Sequence, residues 1–553
     1  MKRNFRSLLV VLCLAALLAG CSAQVHSQAP SASAIVTATP QPTEAATPEP
    51  TPTPVIPQVV SITAVPDQSV SASDVEEPFS TVNRYAARVY HPDRELYNAL
   101  YRAVDQFQPT LDISGFDLSR QQVLGTCESL YVEGQFRFFY LEFAKQSKDG
   151  KTITFTYRGT KEEVERGKET FYAKFSHLLH NVARPDGTDL QKYLAVYQYL
   201  CETSSYSSDM TDFLTFSPYS ILVKGQGICD GYAMLMTVAL DSLGVPVKYI
   251  ANTSHAWNIV TIDNKTYHGD VTWGAGNTTD GLNKLDTALM DDAARMEGLR
   301  NAGYEKEEIM IGYPGDEGAP AVPVCDSTSF QAYRDAVYYY ALDTDGQKIY
   351  FARGYQVMSM NLDCTDEAVL ADQPAGRMAF YHGALYFVDM NDGFLYRLKP
   401  GSKPEVVDKS GYFTYLNMHR GTLQYGASSE PAGLKTLRLT SLLPGEPESE
   451  QVSRLQEAVV ARSRSFSTQI RFSEPMDTNA DWSELVYLVD RQGDPIPLHF
   501  YWSPDGTTLT VRPRECVADE GAVDLYLRKE APSAQGAAME AGRAMRIMIQ
   551  SGR

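Results

Sequence analysis

From Asp230 to Leu243 the chain reads DGYAMLMTVALDSL, apolar almost all the way round a helical wheel, and the pattern stops at Gly244, Val245 and Pro246. A helix with a single apolar stripe can lie on a surface, but one apolar on every face has to be enclosed by the rest of its domain. Gly followed by Pro is a helix stop, so the fold has to be assembled around this segment. The preceding residues, GQGIC at 225–229, place Cys229 at the helix start. There, unpaired backbone N–H groups and the positive end of the helix dipole favour a thiolate. A lone buried cysteine is usually a small packing residue, yet this position suits a nucleophile better.

Two strand-like runs follow, SHAWNIVTI and KTYHGDVTW, with Asp263 and Asn264 between them as a two-residue hairpin turn. That turn sets Trp257 opposite Asp270 and His255 opposite Thr272. His255 and Asp270 become diagonal neighbours on one face, roughly 7–8 Å apart at the backbone and within reach of a side-chain hydrogen bond. A slip of one residue would put them on opposite faces. Thiol, imidazole and carboxylate together form the generalised acyl-transfer triad. The sulfur attacks an acyl carbon, histidine takes and returns the proton, and the carboxylate fixes the tautomer. The Cys229 N–H is one candidate oxyanion donor, with Gln226 and Tyr219 upstream as candidates for the second. Trp257 and Trp273 are candidates for substrate binding or for shielding the site, with core packing as the default. His268 reads as a structural histidine. The triad calls for no metal or cofactor.

The cysteine count supports this reading. Setting aside Cys13 and Cys21 near the N-terminus leaves Cys127, Cys201, Cys229, Cys325, Cys364 and Cys516. They are too sparse for a disulfide framework and include no C-x-x-C pair that would suggest zinc. Cys201 shares a helical stripe with Leu190, Tyr193, Leu194, Tyr197 and Leu200 and reads as core.

The run GQGICDGYAMLMTVALDSLGVPVKYIAN, followed by SHAWNIVTIDNKTYHGDVTW, resembles the core of the bacterial transglutaminase-like superfamily. The resemblance lies in the Cys-Gly-Tyr-like helix start, the HAWN strand and the D-x-T-W strand, and is closest from Tyr219 to Trp273. It implies a papain-like α+β fold, a central helix on an antiparallel sheet, with Cys229 as nucleophile, His255 as general base and acid, and Asp270 as orienting acid. The superfamily includes cysteine peptidases, acyltransferases, amidases and inactive relatives, so cross-linking activity is not implied.

The remainder of the chain divides by composition. Residues 1–20 carry Lys2, Arg3 and Arg6 ahead of an apolar run, a secretory signal pattern. LLAGC resembles the lipobox of bacterial lipoproteins and implies lipidation of Cys21 and a membrane-anchored, extracellular location. Loss of the leader moves the formal charge from −19 to −22, a poor balance for binding nucleic acid. Residues 21–81, rich in Pro and Thr, read as a disordered spacer able to hold a domain roughly 100 Å from the membrane. Residues 82–326 hold the transglutaminase-like domain with an N-terminal α/β extension. In 327–450, QKIYFARGYQVMSMNL and GALYFVDMNDGFLYRL align at an offset of 36 residues and a third copy starts at GTLQYGAS, a propeller-like β-repeat domain of three units. In 460–553, FSEPMD and WSPDGTTLTV resemble bacterial Ig-like β-sandwich domains.

Two functions compete. One is a lipid-anchored thiol enzyme acting on amide bonds of peptides or proteins, more a peptidase or amidase than a cross-linker. The other is a non-catalytic surface protein that uses the fold as a scaffold for binding or adhesion. The partners expected are a peptide or protein substrate, the membrane through Cys21 and a cell-wall or surface ligand for the β regions.

Overall fold

The computed structural model describes residues 55–66, 93–133, 136–183, 185–209, 211–251, 255–279, 283–303, 323–335, 342–381, 383–399, 401–419, 422–437, 452–454, 459–461, 466–489, 495–496, 498–513 and 521–549. The leader, Cys21 and Cys516 lie outside them. Among the described residues no helix is long and apolar enough to cross a membrane, and Cys127, Cys201, Cys229, Cys325 and Cys364 are all free thiols.

The first described strand, β1 (Val59–Pro66), pairs with a distant C-terminal strand, Phe466–Phe472. The N-terminal extension follows: α1 (Arg94–Asp105), β2 (Thr110–Asp112), α2 (Arg120–Glu133), β3 (Leu141–Gln146) and β4 (Thr152–Tyr157), with the strands ordered β2-β4-β3. Leu96, Leu100, Phe138 and Phe155 give this extension its own core.

Next come α3 (Lys161–His177) and α4 (Asp189–Thr203). Each begins at a threonine whose hydroxyl accepts the N–H three residues on, while the Glu163 or Gln191 side chain reaches back to the threonine N–H. These reciprocal caps fix where the helices start. A short parallel pair, β5 (Ser205–Tyr206) and β6 (Gln226–Gly227), leads into α5 (Cys229–Ser242), which is buried from Cys229 through Leu240 apart from Asp230 and ends before Gly244 at a φ of 74°. This is the enclosed helix the apolar pattern predicts. It packs on an antiparallel sheet of β7 (Val247–Ala251), β8 (Ala256–Ile262) and β9 (Lys265–Gly269). Asn258 on β8 ties sheet to helix by donating to the Ala233 carbonyl and the Thr237 hydroxyl.

Asp263 and Asn264 take left-handed φ values of 50° and 60°, the geometry of a two-residue hairpin turn. Val260 pairs with Tyr267 and Asn258 with Gly269, in the predicted register. The strand stops earlier than expected, however. Asp270 ends it by accepting the Trp273 N–H on Oδ1 at 3.1 Å, the behaviour of a helix cap. Residues 271–279 are therefore helix α6 (Val271–Thr279), and Thr272 and Trp273 are helical rather than extended. A Cβ at Gly269 would lie 2.3 Å from the Tyr193 hydroxyl, and one at Gly274 would lie 2.3 Å from the Tyr197 hydroxyl and 2.7 Å from the Cys201 sulfur. The α4 stripe packs directly on the backbone that carries Asp270, with Cys201 in the core. Finally α7 (Asp292–Asn301) starts at Asp291, which caps it through the Ala294 N–H.

Among the described residues the β-rich part contains three antiparallel sheets, over 342–371, 375–408 and 415–437, of four, four and three strands. The segments related by the 36-residue offset form the inner strands of the first two, and GTLQYGAS supplies Thr422–Gly426 of the third. The first sheet shares a core with the α-helical domain: Ile349, Phe351, Met358 and Met360 join Tyr193, Leu194 and Leu235. Between them Lys284 is buried with two carboxylates, Glu202 at 2.9 Å and Asp343 at 2.5 Å.

At the C-terminus two sheets enclose a core that includes Phe466, Ile470, Trp482, Leu509, Val523 and Ile547. One correction concerns the spacer. Residues 59–66 fall within the stretch expected to stay disordered, yet β1 pairs antiparallel with Phe466–Phe472. Val59, Ile62 and Ala64 pack against the C-terminal core, and that apolar burial, with a backbone ladder continuous from Ser61 to Pro66, offsets the ordering of an otherwise Pro-rich segment. Two short strands, Val452–Arg454 and Val459–Ala461, extend this body ahead of residue 460.

Candidate active site

Asp270 is fully buried at the junction of β9 and α6. While Oδ1 caps α6, Oδ2 accepts hydrogen bonds from His255 Nε2 and Arg295 Nη1, each at 2.7 Å. Burial alone would raise the carboxyl, but the facing His255 and Arg295 charges outweigh it and hold the group at about 2. Asp270 is therefore ionised across the physiological range.

The His255 ring is held on its faces as well as at its edge. Trp257 lies 5.8 Å away at 17° and Trp273 5.5 Å away at 26°. The Arg295 guanidinium sits over both indoles, 4.2 Å from the Trp257 ring and 4.5 Å from the Trp273 ring. Sequence reasoning missed Arg295. It lies 25 residues beyond Asp270 on α7, in a mixed, charged stretch with no local mark of burial, yet it is only 1% exposed.

Cys229 is the first residue of α5, whose cap, Ile228, offers no side-chain acceptor to the helix start. Its side chain packs with Ala233, Tyr249 and Ala256, the last being the first residue of β8 and the immediate successor of His255, and the Ala256 backbone N–H favours the charged form of the thiol. The thiol is directed to Asp230 Oδ2 at 3.6 Å, and Asp230 Oδ1 accepts the Tyr249 hydroxyl at 2.8 Å. Here the dipole argument needs correction. Burial pushes the thiol well above its ordinary range and the Asp230 charge pushes it further, against the smaller downward pull of the Ala256 N–H. Both effects favour the neutral thiol over the thiolate.

The other expected residues divide. Gln226 is exposed on β6, three positions before Cys229. Tyr219 is engaged elsewhere: its ring stacks on Phe139 at 4.0 Å and packs on Phe171, with its hydroxyl beside Gly167 of α3. The aromatic core of the N-terminal extension has claimed it. Trp257 is 1% exposed and faces His255 and His268 rather than solvent, whereas Trp273 is half-buried. Trp257 thus belongs to the wall that covers the His255 ring.

A second cluster, His268, Asp292 and Cys325, brings three donor atoms within 4.8 Å of one another. Its wiring does not suit a cation. The Trp257 indole N–H donates to His268 Nδ1 at 3.0 Å, which leaves the ring proton on Nε2, directed at Asp292 Oδ1 at 2.8 Å. A protonated ring nitrogen cannot ligate a metal, and moving the proton to Nδ1 would set it against the indole N–H. His268 is a structural link between Trp257 and α7.

Residues 176–271 match the family model described as the transglutaminase-like superfamily. This part of the chain is a transglutaminase-like domain; the match contains Cys229, His255 and Asp270 and ends before Arg295. No curated protein matches the chain. Among solved structures, a TGase is 16% identical, covering 28% of this chain and 49% of its own, with a TM-score of 0.17. A candidate cysteine protease from Cytophaga hutchinsonii is 12% identical, covering 23% and 60%, with a TM-score of 0.16. E. coli alpha-2-macroglobulin is 17% identical, covering 18% and 6%, with a TM-score of 0.15. The chain spans less than two thirds of each of these proteins, and likeness at this level carries no functional weight.

Proposed function

We propose that Cys229, His255 and Asp270 form a thiol acyl-transfer triad that hydrolyses amide bonds of peptides or proteins. The observation that carries this reading is the 2.7 Å bond from His255 Nε2 to a buried, ionised Asp270, with the residue after His255, Ala256, packed against Cys229. With Nε2 committed to Asp270, Nδ1 is the ring nitrogen that exchanges the thiol proton. As the proton moves to Nδ1, the sulfur attacks the amide carbon and the S–C bond forms. The oxyanion lies toward the start of α5, where the Cys229 N–H can donate. The proton then passes to the leaving nitrogen, the C–N bond breaks and a thioester remains. Water, deprotonated by His255, attacks that carbon, releasing a carboxylic acid and returning the proton to sulfur. Hydrolysis is preferred to cross-linking because water is the default acceptor. The LLAGC leader supports a lipid-anchored, extracytoplasmic protein whose β regions bind wall or surface ligands.

A non-catalytic scaffold is the competing reading, and the upward push on the Cys229 thiol favours it. Alkylation of the Cys229 peptide by iodoacetamide, followed by mass spectrometry across pH beside His255→Ala, separates the two. In the enzyme, loss of His255 slows labelling at least about tenfold near neutral pH; equal rates in the two proteins would sink the triad. A peptide-library screen reading cleavage and amine incorporation in parallel then divides hydrolysis from transfer.

A further inference from the structure

Asp230 is out of place beside a nucleophile. It is half-buried in the first turn of α5, with Oδ2 3.6 Å from the Cys229 sulfur and Oδ1 held by the Tyr249 hydroxyl at 2.8 Å. Among the described residues no lysine, arginine or histidine bridges it, although Asp270, the other acid acting on this thiol, is neutralised by Arg295. Forming a thiolate against an uncompensated carboxylate is opposed by like charge, so the group works against the chemistry unless something arrives to balance it. Tyr249 fixes one oxygen, leaving the other aimed at the sulfur.

We infer that Asp230 is the specificity-determining residue of the site and seats a protonated amine carried by the acyl donor, close to the carbonyl that Cys229 attacks. The inference rests on the thiol-enzyme reading. A substrate ammonium against Asp230 converts the opposing charge into a pair, and proton transfer from Cys229 to His255 becomes easier only once that substrate is bound. The cation belongs to the donor, because a protonated amine has no lone pair with which to attack a thioester. The class of substrate is therefore an amide whose acyl part bears an ammonium within about one residue of the carbonyl, as in a basic or diamino-acid side chain or a free chain terminus.

The test uses the intact protein and two small methanethiosulfonates of opposite charge, the aminoethyl cation and the sulfonatoethyl anion. In each case the Cys229 sulfur attacks the reagent's sulfenyl sulfur, a disulfide forms and methanesulfinate leaves. The rate of modification is read at the Cys229 peptide by mass spectrometry. The expected result is a cation-to-anion rate ratio ~10-fold above that of a small free thiol. The ratio should fall to the free-thiol value in Asp230→Asn, survive in Asp230→Glu and decline with added salt in the unaltered protein. Should Asp230→Asn fail to fold, the salt titration decides alone. A ratio that ignores both Asp230 and salt overturns the inference. If the ratio behaves as expected but His255→Ala leaves alkylation unchanged, it is the triad that fails.

Discussion

Asp270 and Cys229 each stand at the start of a helix, and the two helices pack against each other, yet their surroundings differ. Asp270 has both oxygens committed, to a backbone cap, a histidine and an arginine. Cys229 touches small or aromatic neighbours, one backbone N–H and a carboxylate that resists its ionisation. The His255 ring is therefore oriented in advance by groups that do not have to move. The thiol is positioned, but burial and Asp230 hold it toward its neutral form. On the proposed thiol-enzyme reading such a division keeps the nucleophile inert until a suitable acyl group is present, and it makes the acid half the structural half.

The strongest way to break this contrast is Asp270→Asn. The substitution preserves shape and the Oδ1 cap on Trp273 but removes the carboxylate that a guanidinium 1% exposed faces at 2.7 Å. Breaking such a buried pair is expected to lower stability by about 3–5 kcal/mol, measured from urea unfolding. A loss below about 1 kcal/mol would mean that α6 and the two indoles hold the arrangement without the charge.

How much of this could be read from the chain depended on whether the deciding interaction was local. The His255 to Asp270 relation was legible because Asp263 and Asn264 fix a hairpin register within a dozen residues. The switch from strand to helix at Asp270 was not, since an aspartate that ends a strand and caps a helix looks the same as one that continues the strand. Arg295 becomes a partner of Asp270 only when α7 is laid over Trp257 and Trp273, and nothing in its own helix marks it. β1 was hidden by a Pro-rich neighbourhood, and its partner is some four hundred residues away. Cys229 stands at the helix start, as the apolar pattern implies, but dipole reasoning from that position omitted burial and the very next residue, both of which push the thiol upward.

A smaller effect sharpens the acid half. The Asp270 carboxyl is ordinarily near 3.8 and sits at about 2 in the folded protein. A depressed folded value means that the unfolded chain binds the proton more readily. The associated stability, about 2 kcal/mol, is present above pH 4 and is lost as pH falls toward 2. Urea unfolding from pH 6 to pH 2 should show this loss, and the profile of Asp270→Asn should be flatter by a similar amount. If the two profiles run parallel, the carboxylate is not the group that carries the pairing.

The smallest effect belongs to the thiol. Cys229→Ala removes one sulfur from contact with Ala233, Tyr249 and Ala256, a loss of buried apolar surface worth about 1 kcal/mol. Removing the thiol also frees Asp230 from a group that only weakly satisfies it, which offsets part of that loss. The expected change in urea stability is thus about 1 kcal/mol or less, several times smaller than for Asp270→Asn, while alkylation at this position disappears. If Cys229→Ala were as destabilising as Asp270→Asn, the sulfur would be a packing element on the same footing as the buried acid. The half of the site assigned to chemistry would then be structural too.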